Sequence, residues 1–144
     1  MRFHASCAAR PVPGGGHHAV LLLGAPGSGK SNLLLRLLDR GFVLVADDQV
    51  IVEIGQASAP AALAGMLEVR GLGLFRLPFL PAAPLRLVVR LGVSDRLPMP
   101  EIDPALNLPV VYIDPAAASA PERVALALDA ATGRIENIVG AFTA

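Results

Sequence analysis

Gly24-Ala25-Pro26-Gly27-Ser28-Gly29-Lys30-Ser31 decides how this chain is to be read, because it contains the chain's one lysine. The other eleven of its twelve basic residues are arginine. A loop of this G-x-x-x-x-G-K-S form wraps phosphates with successive backbone N–H groups. Its compact ammonium reaches the β- and γ-phosphates and its serine hydroxyl meets Mg²⁺. Lysine is kept at the one position where that chemistry asks for it. Gly24, Ala25, Pro26, Gly27, Ser28, Gly29, Lys30 and Ser31 are therefore the expected nucleotide-binding residues, for a nucleoside triphosphate with Mg²⁺.

The flanks supply the setting such a loop requires. Ala19–Leu23 is a short apolar run of strand length. Ser31–Arg40, with leucines at 33, 34, 35, 37 and 38, predicts a helix stopped by Gly41. Further out, Phe3–Ala9, Phe42–Ala46, Val50–Ile54, Leu85–Leu91 and Leu108–Ile113 read as strands. Pro11–Gly16 reads as a turn, Ala59–Gly65 as a short helix, and Pro121–Ala130 as a surface helix opened by proline. Leu67–Leu77 is rich in glycine and is expected to be a loop. The fold class this gives is α/β, a P-loop-containing mixed sheet with flanking helices, with residues 1–144 as one catalytic domain.

Composition narrows the partners. The formal net charge is zero and 53% of residues are apolar. No basic patch is interleaved with aromatics, so neither nucleic acid nor an anionic membrane is expected as a partner. The apolar runs are too short to span a bilayer. The single cysteine, Cys7, rules out an internal disulfide and fits a reducing, cytoplasmic setting. His17, His18, His4 and Cys7 match no standard zinc spacing. Arg86 and Arg90 fall on one face of their strand and are expected to be solvated.

Asp47-Asp48 ends the strand that follows the P-loop helix, where open α/β sheets present ligands. Neighbours on a strand point to opposite sides, so the two carboxylates are expected to do different jobs, one toward metal and phosphates and the other toward the acceptor or a structural partner. No Asn-Lys-x-Asp guanine motif exists, since there is no second lysine.

Three segments in order resemble the HPr kinase/phosphorylase family. They are Gly24–Ser31, Leu44-Val45-Ala46-Asp47-Asp48-Gln49-Val50, and Leu67-Glu68-Val69-Arg70-Gly71-Leu72-Gly73-Leu74. His4 also falls where that family carries a histidine, and Asp95-Arg96-Leu97-Pro98 is similar to its Asp-Arg-Leu element. The resemblance runs from about Phe3 to Asp114. It implies a fold related to phosphoenolpyruvate carboxykinase and transfer of a phosphoryl group from ATP to a serine of the phosphocarrier HPr. The reverse reaction onto phosphate, and assembly as a homo-oligomer, a hexamer, are also implied.

By the same resemblance Asp47 is the expected base, Asp48 supports Mg²⁺ together with Ser31 or orients neighbouring groups, and His4 lies near the catalytic carboxylate. Arg96 acts at the phosphoryl site or in the reverse reaction, beside Lys30 on the β- and γ-phosphates. Glu68, Arg70, Gly71 and Gly73 form a signature loop at the active site or a subunit contact. Three departures stand out. Asn32 replaces a residue usually acidic, the family's long form has a further N-terminal domain so that this chain reads as the short form, and Leu108–Ala120 lacks a basic segment linked to partner binding. A small-metabolite kinase of the shikimate-kinase type would need an arginine-rich lid, for which Arg86 to Arg96 is the one candidate. A nucleotide-sensing module without turnover is the third reading.

Overall fold

The computed structural model describes residues 1–143. Eleven strands and two helices follow one another as β1 (Arg2–His4), β2 (Ser6–Pro11), β3 (His17–Leu23), α1 (Lys30–Asp39), β4 (Val43–Ala46), β5 (Gln49–Glu53), β6 (Gln56–Ser58), β7 (Met66–Val69), β8 (Gly73–Arg76), β9 (Ala83–Leu91), β10 (Ile102–Asp103), β11 (Leu108–Ile113) and α2 (Ala120–Ala131). The sheet is mixed. β9 runs parallel to both β3 and β11, while β2 lies antiparallel between β3 and β4.

Both faces of β3 are covered past its two opening histidines, which is why Ala19–Leu23 is apolar without alternation. Val20 and Leu22 face the helices and pack with Leu33, Leu34 and Leu37 of α1 and Val124 and Leu128 of α2. Ala19 and Leu21 face the other way, onto a second layer made by β1, β5 and β6. The start of β9 reaches that layer by pairing with β6, while its body stays between β3 and β11. Cys7 is fully buried in this second cluster, and burial pushes its thiol far above the usual range, so it is an inert core residue.

The strand read over Phe3–Ala9 is two strands, broken at Ala5. β1 pairs with β5, and β2 pairs with β3 and β4. The segment Leu67–Leu77 is not a loop: it forms the β7–β8 hairpin, closed with Gly71 at φ 87° and Gly73 at φ 122°. Those glycines supply left-handed backbone for the turn rather than breaking the strands. Arg86 and Arg90 are not simply solvated. Arg86 Nη1 lies 3.3 Å from His18 Nε2, and Arg90 binds Glu101, Asp103 and Tyr112. The helix after Pro121 buries Val124 and Leu128 against the core.

Candidate active site

β3 runs straight into the glycine loop, and α1 starts at Lys30. Gly29 is the helix N-cap at φ 104°, and Gly27 has φ 79°. Both conformations strain any residue with a Cβ. The first turn of α1 has no side-chain cap and no acidic residue. Its N–H groups and the positive end of the helix dipole therefore remain available to an anion.

Two further observations point the same way. Ser28 Oγ is buried without a hydrogen-bond partner among the described residues. Lys30 is 7% exposed, yet among the described residues Nζ donates only to the carbonyls of Gly24 (2.6 Å) and Ala25 (3.1 Å). A buried ammonium held by its own loop, with no carboxylate beside it, has its charge balanced when a phosphate arrives. The loop is tight as well as open. A Cβ on Gly24 would stand 2.4 Å from Ser28 Oγ, and one on Gly29 would stand 3.3 Å from Pro115. Arg36 of α1 donates to the carbonyls of Pro115, Ala117 and Ala118, pinning that segment beside the loop.

Asp47 and Asp48 lie at the end of β4 and face different neighbours. Asp47 is 8% exposed. It accepts a hydrogen bond from Ser6 Oγ at 2.6 Å and from Ser31 Oγ at 3.1 Å. A carboxylate touching the P-loop serine is a hard oxygen pair suited to Mg²⁺, which commonly takes one or two protein oxygens and fills its shell with phosphates and water. Among the described residues no cluster of three or more histidine, cysteine or acidic side chains offers a fuller metal cage.

Asp48 turns outward at φ 72°, and its side chain is 62% exposed. Its Oδ1 lies 3.2 Å from His4 Nε2. The turn is fixed by Ala5 N–H donating to the Asp48 carbonyl, and Gln49 N–H to that of Asp47. Ser6 and His4 reach the pair because β2 and β1 diverge at Ala5, each bringing one polar residue to one carboxylate. Sequence reasoning singled out His4 but not Ser6. The signal for Ser6 was a lone hydroxyl at the mouth of an apolar strand.

A cleft of about 740 Å³ joins these groups. Its floor is the P-loop with His4, Ser6, Asp47 and Asp48, and its far wall is the β7–β8 hairpin, which contributes Met66, Glu68, Val69, Arg70 and Leu74. Glu68 and Arg70 are thus brought to the site. Gly71 and Gly73 shape the hairpin turn and do not line the cleft. Arg96 is not brought in: it lies exposed on the segment after β9 and is absent from the lining. Asn32 lines the cleft one residue past Ser31. Among the described residues no helix is long and apolar enough to cross a membrane.

Residues 15–79 match the family model for the HPr Serine kinase C-terminal domain. HPr kinase/phosphorylase from Xanthomonas campestris pv. campestris (strain B100) and from Xylella fastidiosa (strain M12) are each 49% identical over 59 residues. That alignment covers 38% of this chain and 19% of each relative, so the chain matches about a fifth of their length. The HPr(Ser) kinase/phosphatase of Coxiella burnetii shares the fold, with a TM-score of 0.71 over 95% of this chain and 99% of that one, at 21% identity. His4, Ser6 and Arg96 lie outside the matched segment; the P-loop, both aspartates and the hairpin lie within it. The chain resembles the HPr kinase/phosphorylase family, in sequence across its P-loop, Asp-Asp and hairpin segments and in fold along nearly its whole length.

Proposed function

We propose that this protein is an ATP-dependent serine kinase acting on an HPr-type phosphocarrier in the cytoplasm, with the reverse transfer to phosphate as its second direction. The observation that carries the reading is the division of the two aspartates, one held against the P-loop serine and the other exposed against a histidine. Phosphoryl transfer needs positioning and charge neutralisation on one side and a proton acceptor on the other. This site has the two on opposite sides of one strand end.

In this reading Lys30 and the N–H groups of Gly27 to Ser31 hold the β- and γ-phosphates. Ser31 and Asp47 would hold Mg²⁺, which when bound neutralises charge on the phosphates and aligns them. Asp48 accepts the seryl proton as the serine oxygen bonds to the γ-phosphorus and the bond to the β-phosphate oxygen breaks, releasing ADP. His4 orients Asp48. This reverses the roles that the resemblance gave: Asp47 is tied to Ser31 and too buried to meet a protein substrate, whereas Asp48 opens toward the cleft. Arg96, exposed and away from the lining, has no role in this scheme.

The hairpin supports a protein acceptor. Leu72 and Leu74 are exposed beside the cleft, and Met66 and Leu35 border it, an apolar rim suited to a folded partner rather than to a small polyol. Asp48→Asn should reduce phosphoserine formation about 10²- to 10⁴-fold and leave nucleotide affinity unchanged. Asp47→Asn should weaken nucleotide binding in Mg²⁺ and not in EDTA. Full transfer by Asp48→Asn would overturn the assignment of the base.

A further inference from the structure

A second recess, of about 410 Å³, opens toward the same end of the sheet as the P-loop, between the segment that follows β9 and residues Val110 to Tyr112 of β11. Its walls combine the apolar Val93 and Met99, both more than four-fifths exposed, with Tyr112 and the carboxylates of Asp95 and Glu101. Glu101 is engaged: Tyr112 Oη donates to it at 3.1 Å and Arg90 Nη1 at 3.3 Å. Asp95 carries no hydrogen bond on its carboxylate among the described residues. An exposed aromatic ring, two bare apolar side chains and a free acceptor form a surface for a flat, partly apolar ligand with a hydrogen-bond donor on its edge.

Strand register fixes how far this recess lies from the phosphate loop. Leu23 pairs with Arg90, and Arg90 pairs with Tyr112, so the three residues stand in one row across β3, β9 and β11. Tyr112 is therefore two strand spacings, about 10 Å, from the residue that precedes Gly24. Leu91, packed against the position of a Gly24 Cβ, is two residues before Val93. A ribose and base attached to phosphates in the loop span that gap. The recess lies at the carboxyl end of parallel strands, where α/β sheets bind their ligands.

We propose that this recess is the nucleobase site, with Tyr112 and Met99 as the stacking surface and Asp95 as the acceptor for an exocyclic amino group. The ligand class is an aminopurine nucleotide. This rests on the reading that the P-loop holds a nucleoside triphosphate.

The test is calorimetric titration of the full chain with ATP, ITP and inorganic tripolyphosphate. Tyr112→Ala should weaken ATP roughly 5- to 100-fold, the range for one base–aromatic stack, and leave tripolyphosphate unchanged. Tyr112→Phe, which keeps the ring, should bind ATP as the parent does and guards against a folding artefact. Wild type should prefer ATP to ITP, which lacks the amino group, and Asp95→Ala, which removes the acceptor, should erase that preference. Equal losses for ATP and tripolyphosphate, or no loss for either, would overturn the base assignment. If neither ligand binds wild type, the nucleotide reading fails with it.

Discussion

The contact between Ser6 and Asp47 holds the metal-side carboxylate in place, and its strength can be measured. Ser6 is 1% exposed and donates at 2.6 Å to a carboxylate that is 8% exposed. A hydrogen bond to a charged group contributes about 1.5–3 kcal/mol, and a buried partner left unpaired costs about 1–3 kcal/mol. Asp47→Ala strands the Ser6 hydroxyl and also removes the acceptor for Ser31. It should lower unfolding stability by about 2–4 kcal/mol, or roughly 5–15 °C in Tm for a chain of this size. Ser6→Ala should cost less, because Asp47 keeps Ser31 and reaches solvent. The double variant should be no worse than Asp47→Ala alone, giving a coupling of about 1–3 kcal/mol. Urea unfolding of the four proteins closes the cycle. A coupling within 0.5 kcal/mol of zero would mean that the two side chains are independent, and the anchoring of Asp47 would be wrong.

Other perturbations test other parts of the site. Gly24→Ala places a Cβ 2.4 Å from Ser28 Oγ and 3.2–3.3 Å from Ser28 Cβ and Leu91 Cβ, so the Ser28 hydroxyl must turn away and its neighbours give by a few tenths of an ångström. Overpacking of this kind costs about 1–3 kcal/mol; a thermal-shift series should show the loss, with a smaller ATP-induced stabilisation than wild type. Lys30→Ala should abolish tripolyphosphate binding and transfer in both directions, and retained binding in calorimetry would contradict the phosphate cradle. His18 lies among Arg86, Arg10 and Arg134, and burial followed by these charges lowers its pKa below the ordinary histidine value. The unfolded chain then binds the extra proton, so stability is full above about pH 6.5 and falls as pH drops toward the lowered folded value. Unfolding of His18→Gln should lose that dependence, and an unchanged pH profile would show that another group carries it.

What the sequence shows of this protein follows from where each feature gets its cause. The P-loop is legible because its chemistry is local: glycines, one lysine and one serine in a row, between a strand and a helix. That Asp47 and Asp48 point apart is what strand alternation predicts, but its cause is different: both sit in a bend after β4, and the left-handed backbone of Asp48, φ 72°, turns it outward. Which of them meets Ser31 is not legible, because that depends on β2 and β1 arriving at the end of β4 and splitting at Ala5. The β7–β8 hairpin hid behind Gly71 and Gly73, whose positive φ looks like loop in sequence and is turn geometry in space. The β5–β6 hairpin hid for a related reason. Ile54 at φ 51° and Gly55 at φ 71° make a two-residue turn with both centres left-handed, where asparagine or aspartate would normally announce it. β10 is two residues long and exists only against β11.

Phosphoryl transfer itself is the central claim, and intact-mass spectrometry measures it. Purified protein is incubated with Mg-ATP and the HPr-type phosphocarrier from the same cell, alongside Asp48→Asn. The account predicts that wild type adds one phosphoryl group to a single serine of the carrier, and that Asp48→Asn binds ATP but leaves the carrier unmodified. A carrier that stays unmodified with wild type while ATP is bound, or one modified equally by both proteins, would contradict it.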